Sequence, residues 1–135
     1  MGAASDYLEN KILDHVLTSA AYTQPSRYLA LFTASTGLES DSIATASEVS
    51  TSGTAYARKA VTFAAASSGS SATNATVTFD AATASWGTIT HVAVVDGSTA
   101  GAGNVLFYGA VTTSKTIDTG DTFQITSGNL TVSLD

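Results

Sequence analysis

The chain of 135 residues has no cysteine, one proline, one methionine and one tryptophan. Without cysteine there is no disulfide, thiolate zinc site, iron–sulfur cluster or cysteine nucleophile. Charge is scarce as well: charged residues make up 12% of the chain, about half the usual share. Bases are scarcer than acids, with 5 Lys and Arg against 11 Asp and Glu and a net charge of -6. The clustered cations that hold a nucleic-acid backbone are therefore missing, and no nucleic-acid partner is expected. No run approaches the roughly 18 apolar residues that a membrane-crossing helix needs, so no membrane partner is expected either. The start has no basic stretch leading into an apolar one, which argues against a secretory leader. Met1-Gly2 would open a myristoylation signal only with Ser or Thr at the sixth position, which Asp6 occupies.

What is abundant is small. Ala, Ser and Thr number 23, 18 and 22. A surface poor in charge and rich in small hydroxyl residues suits a subunit packed against neighbours. The length fits one domain spanning 1–135. The large apolar residues (Val, Ile, Leu, Phe, Tyr, Trp and Met) number 36, enough for a single core.

Residues 6–18 read as the one helix. Asp6 can cap it, and Glu9 completes a capping-box-like pair. Leu8, Ile12 and Val16 recur every four residues, with Leu13 and Leu17 beside them. From 27 onward the period is two. Strands are expected at 27–33, 56–63, 74–79, 88–95, 104–111, 122–126 and 130–134, with 88–95 central. Residues 34–54 carry few large side chains and read as a long surface loop, and 64–73 as a low-complexity turn. Asp96-Gly97 opens a turn that runs to Gly103. The predicted fold is mainly β: an antiparallel sandwich or barrel of about seven strands over 27–135, with one N-terminal α-helix.

Chemistry is thinly signalled. His15 falls on the helix and His91 in the strongest strand, with no G-x-S-x-G elbow to go with them. Asp118-Thr119-Gly120-Asp121 lacks the ligand pattern and final Glu of an EF-hand and reads as a turn. Gly101-Ala102-Gly103 lacks the third glycine and the Lys of a phosphate loop. Tyr28, Tyr56, Trp86, Phe107 and Tyr108 are candidates for a sugar-stacking platform, against the commoner role of core or interface aromatics. No catalytic residue, metal ligand or cofactor is expected.

Several stretches together carry a resemblance. They are Ser5-Asp6-Tyr7-Leu8-Glu9-Asn10-Lys11-Ile12-Leu13-Asp14-His15, Tyr28-Leu29-Ala30-Leu31-Phe32-Thr33, Tyr56-Ala57-Arg58, Ala84-Ser85-Trp86-Gly87-Thr88-Ile89-Thr90-His91 and Ser127-Gly128-Asn129-Leu130-Thr131-Val132. In this order the chain resembles a family of small tailed-bacteriophage virion proteins, often labelled tail fibre proteins, over nearly its whole length. The resemblance implies a non-enzymatic structural subunit of the virion, assembled in the host bacterial cytoplasm.

The chain shows neither a shaft repeat nor a tip following one. The expectation taken forward is therefore a capsid decoration (cement) protein that stabilises the assembled head by mass action and avidity. The alternative is a tail or tail-fibre component, with a host surface glycan as a possible ligand. Expected partners are the major capsid protein or other virion subunits, and further copies of the chain, with a trimer favoured. Candidate interface residues are Leu38, Ile43 and Val49 in the 34–54 loop, and the basic pair Arg58 and Lys59 near a strand edge.

Overall fold

The computed structural model describes residues 2–134. The protein is mainly β, with antiparallel sheets and one helix near the N-terminus. The main sheet holds five strands: β1 (Ala3–Ala4), β2 (Tyr28–Phe32), β3 (Lys59–Ala60), β6 (Gly87–Val95) and β7 (Val105–Ile117). Their order is β1-β7-β6-β2-β3, which puts β6 at the centre as its sequence suggests. A second layer is built from two short pairs. β4 (Ser70–Ala72) pairs with β9 (Thr131–Ser133), and β5 (Val77–Thr78) with β8 (Gln124–Ile125). Backbone bonds through Thr73, whose N–H reaches Leu130 O at 2.9 Å and whose carbonyl accepts from Gly128 at 2.8 Å, join these pairs.

The apolar run of β2 follows from its place. Both faces of its sheet are covered, so a run without polar alternation is what the position requires. Leu29 and Leu31 face the main core with Val92 and Val94 of β6 and Leu106 of β7. Ala30 and Phe32 face the other way, with Ala93, Val95 and Val105. The second layer adds Val77, Phe79, Phe123 and Leu130 to the main core.

What covers the opposite face is the segment expected to be a surface loop. Leu38 is fully buried and Ile43, in a short 3-10 turn (Ile43–Thr45), nearly so; both pack on Phe32. The segment is a long loop that straps over the sheet, so its apolar residues are buried anchors rather than surface ones. It is sewn to β2 by Thr33 N–H to Ser47 O at 2.9 Å and Val49 N–H to Leu31 O at 3.1 Å. Asp41 fastens it to β7, its Oδ1 accepting from Val105 N–H at 2.6 Å. Burial raises the Asp41 pKa, against the lowering effect of that hydrogen bond.

β6 and β7 form a long hairpin. Its turn is closed by Asp96, which accepts from Asn104 N–H at 2.6 Å and Nδ2 at 2.8 Å. Gly103 has φ 79°, and a Cβ there would meet Asp96 Oδ1 at 2.8 Å, so the turn requires glycine. β7 outruns its predicted end by six residues, from 111 to 117. The register jumps from His91↔Ala110 to Ile89↔Lys115, so 111–114 bulge out of the ladder.

The helix α1 (Asp6–Leu17) starts one residue earlier in capping terms than the sequence suggests. Ser5, not Asp6, is the N-cap: its Oγ accepts from Leu8 N–H at 3.3 Å. The same hydroxyl donates to Val105 O, and the Ser5 N–H donates to Leu106 O at 2.9 Å. Ser5 is fully buried and thus anchors the helix start on β7. Ser5→Ala is expected to cost about 1–2 kcal/mol of unfolding free energy, since it removes a cap and leaves a buried carbonyl short of a donor. Urea denaturation checks this. At the other end Thr18 stops the helix: its N–H and hydroxyl both bond Asp14 O, at 3.0 and 2.6 Å.

Candidate interaction surface

The two histidines are held in separate local contacts. His91 Nδ1 lies 2.9 Å from the hydroxyl of adjacent Thr90. His15 Nδ1 accepts from Tyr22 N–H at 3.1 Å and so pins the chain that folds back after α1. Asp121 Oδ2 accepts from Asp118 N–H at 2.9 Å, which makes 118–121 a self-satisfied turn. Among the described residues no group of three or more His, Asp or Glu side chains stands ready to hold a metal ion. No helix among them is long and apolar enough to cross a membrane.

The five candidate stacking aromatics do not form one platform. Tyr56 and Trp86 are in the core, with ring centres 5.5 Å apart at 81°, while Tyr28, Phe107 and Tyr108 are half-buried. Phe79 lies beside the first two, stacked on Tyr56 at 6.1 Å and edge-on to Trp86 at 6.2 Å. The Trp86 indole N–H reaches Thr54 O at 2.8 Å, so even the polar edge of this cluster is satisfied inside.

Four of the five candidate interface side chains are likewise turned inward. Leu38, Ile43 and Val49 belong to the buried clusters on the two faces of the sheet. They lack polar alternation because they cap the sheet rather than face solvent. Arg58 is buried in a clamp that the sequence gives no sign of. Its Nε and Nη2 donate to the two Glu48 carboxylate oxygens, both at 2.8 Å. Its Nη1 donates to Gly97 O and Ala102 O at 2.8 and 2.9 Å.

Glu48 also accepts from Tyr56 OH and from Gly101 N–H, each at 2.8 Å. Burial first, and the Glu48 charge second, push the Tyr56 pKa up. The clamp therefore locks the strap, the 56–58 segment and the β6–β7 turn to one another. Only Lys59 remains at the surface, 3.0 Å from exposed Asp80, a pair of little energetic weight.

The outward apolar surface lies on the helix stripe itself. Leu8 is buried, but Leu13, Val16 and Leu17 are 54%, 69% and 74% exposed. Alongside α1 runs an open groove of about 410 Å³ whose walls include Leu8, Ile12, Phe63, Phe107, Val132 and Leu134. Leu134 is itself 51% exposed. The signal was available: the five apolar positions of α1 cover roughly half its circumference, more than one contact with a sheet can bury. A second groove of about 590 Å³, beside the 111–114 bulge, is lined with Thr, Gln and Asn side chains over Val92, Phe123 and Ile125.

Compared with known families, residues 3–133 match the model described as Podophage GP4 fiber I protein gp80. None of the curated proteins matches the chain.

Proposed function

Because the chain belongs to the podophage fiber I protein gp80 family, whose model spans residues 3–133, we propose that it is a non-enzymatic structural subunit of a fibre on the virion. The observation that carries this reading is the family match across nearly the whole chain. The fold is in keeping with it. A sheet covered on both faces, with its strap and hairpin turn locked by the Arg58–Glu48 clamp, makes a stiff module. Such a module transmits load and presents fixed contacts to neighbours.

Fibre subunit takes precedence over capsid decoration here, since the family description names a fibre protein and nothing in the chain's geometry favours the head. The partners in this reading are other virion subunits, with the major capsid protein among them if the fibre roots on the head. Further copies of the chain, with a trimer favoured, complete the set. Neither nucleic acid nor membrane is a partner in this reading. Particle-bound copies act together, so weak individual contacts add by avidity.

Immunogold electron microscopy of purified particles, with antibodies raised against the chain, tests the placement. Gold at appendages of the tail or neck is the expected result. Even labelling over the head would return the subunit to the decoration role, and unlabelled particles would remove it from the virion.

A further inference from the structure

We propose that the distal half of α1 binds a second copy of this chain by seating Leu13 and Leu17 in that copy's apolar groove. The contact stands on the subunit's own architecture and goes beyond the fibre reading, so a purified protein tests it without reference to the particle.

A helix of 12 residues is marginal by itself and depends on packing of its apolar face. The first half of α1 has that packing through Leu8. In the second half only Ile12 packs on the core, and Leu13, Val16 and Leu17 are left 54%, 69% and 74% exposed. The groove beside it is the complementary feature, a concave and almost wholly apolar channel that shares Ile12 with the helix. Patch and groove are continuous on one face, the kind of surface that marks a protein contact.

Charge selects the occupant. Arg27 lines the groove, with Nη1 bonded to Pro25 O at 3.1 Å, and among the described residues no carboxylate pairs with it. A groove with an apolar floor and one cationic wall accepts an amphipathic helix that carries an acid next to its apolar stripe. α1 is such a helix. Asp14 is exposed and lies one turn before Leu17, at the edge of the apolar stripe. The chain's net charge is -6, so two copies repel unless a cation receives the acidic helix. Arg27 meeting Asp14 supplies that pairing. Because helix and groove adjoin on one face, two copies can trade them reciprocally, each helix in its partner's groove, which makes a closed two-fold pair.

Sedimentation velocity on the full chain over a concentration series tests this. The unaltered protein is expected to assemble. Leu13→Gln/Leu17→Gln keeps good helix formers at exposed positions and is expected to weaken assembly by about a hundredfold or more, with thermal unfolding of the subunit unchanged. Asp14→Arg and Arg27→Glu should each dissociate the assembly, and combining them should restore it. A chain that stays monomeric at high micromolar concentration overturns the proposal. So does assembly indifferent to the Gln pair, failure of the charge swap to rescue, or assembly that appears only when another virion protein is added.

Discussion

Arg58→Met lowers the unfolding free energy by about 3–5 kcal/mol. The side chain is wholly buried and its partner Glu48 nearly so. Methionine fills much of the space but supplies no donor. Glu48 is then left as a buried charge holding only Tyr56 OH and Gly101 N–H, and the carbonyls of Gly97 and Ala102 lose their guanidinium. The loss comes mainly from what is stranded rather than from the worth of the pair.

That distinction is testable. Arg58→Met/Glu48→Gln removes the stranded charge and keeps one acceptor oxygen, enough for either Gly101 N–H or Tyr56 OH, and it is expected to recover part of the deficit. Guanidinium denaturation followed by Trp86 fluorescence reads both. A single-variant loss below about 1 kcal/mol would mean that the clamp is solvated and behaves like a surface pair.

Phe79→Ala is expected to cost about 3–5 kcal/mol through the cavity it opens. Phe79 is almost fully buried and touches three aromatic rings: Tyr56 at 6.1 Å, Trp86 at 6.2 Å and Phe123 at 5.8 Å. These rings come from the 56–58 segment, the start of β6 and the lead into β8, so the cavity sits where the two layers meet. Phe79→Leu keeps apolar volume and loses only edge and stacking contacts, each worth about 0.5–1.5 kcal/mol. It should cost less than Phe79→Ala, since most of the cavity is absent. Near-UV circular dichroism supplies a second readout, since Phe79→Ala frees the Trp86 ring to move. A spectrum and midpoint unchanged by Phe79→Ala would contradict the packing described.

Strands with large apolar side chains were legible in the sequence, and two short strands of small residues were not. Tyr28–Phe32 and Gly87–Val95 stand out because their apolar side chains must serve two covered faces. Lys59–Ala60, Val77–Thr78, Gln124–Ile125 and Thr131–Ser133 fall within the expected spans, whereas Ala3–Ala4 and Ser70–Ala72, the latter inside the expected turn at 64–73, are small-residue segments with no alternation to mark them. Leu38, Ile43 and Val49 are spaced five and six apart among Ser and Thr. They match neither strand nor helix, because a strap is held by separate anchors. The choice between Ser5 and Asp6 as cap is undecidable locally, since both are good caps. The carbonyl of Val105, a hundred residues on, decides it.

The same holds for the surface. Of the α1 stripe the chain buries Leu8 and leaves Leu13, Val16 and Leu17 exposed, because periodicity reports which face is apolar and not whether the chain covers it. Glu48 passed unnoticed because a buried ion pair between residues ten apart leaves no local pattern. The basic pair Arg58-Lys59 splits for the same reason: consecutive residues near a strand point to opposite sides, one into the clamp and one to solvent.

Absolute quantification of the chain against the major capsid protein, by mass spectrometry of purified infectious particles, tests most directly whether this is a fibre subunit of the virion. A fixed stoichiometry on the order of tens of copies per particle, as a small cyclic assembly repeated around an appendage requires, is the predicted result. A chain absent from the particles, or present in numbers comparable to the capsid protein itself, would contradict it.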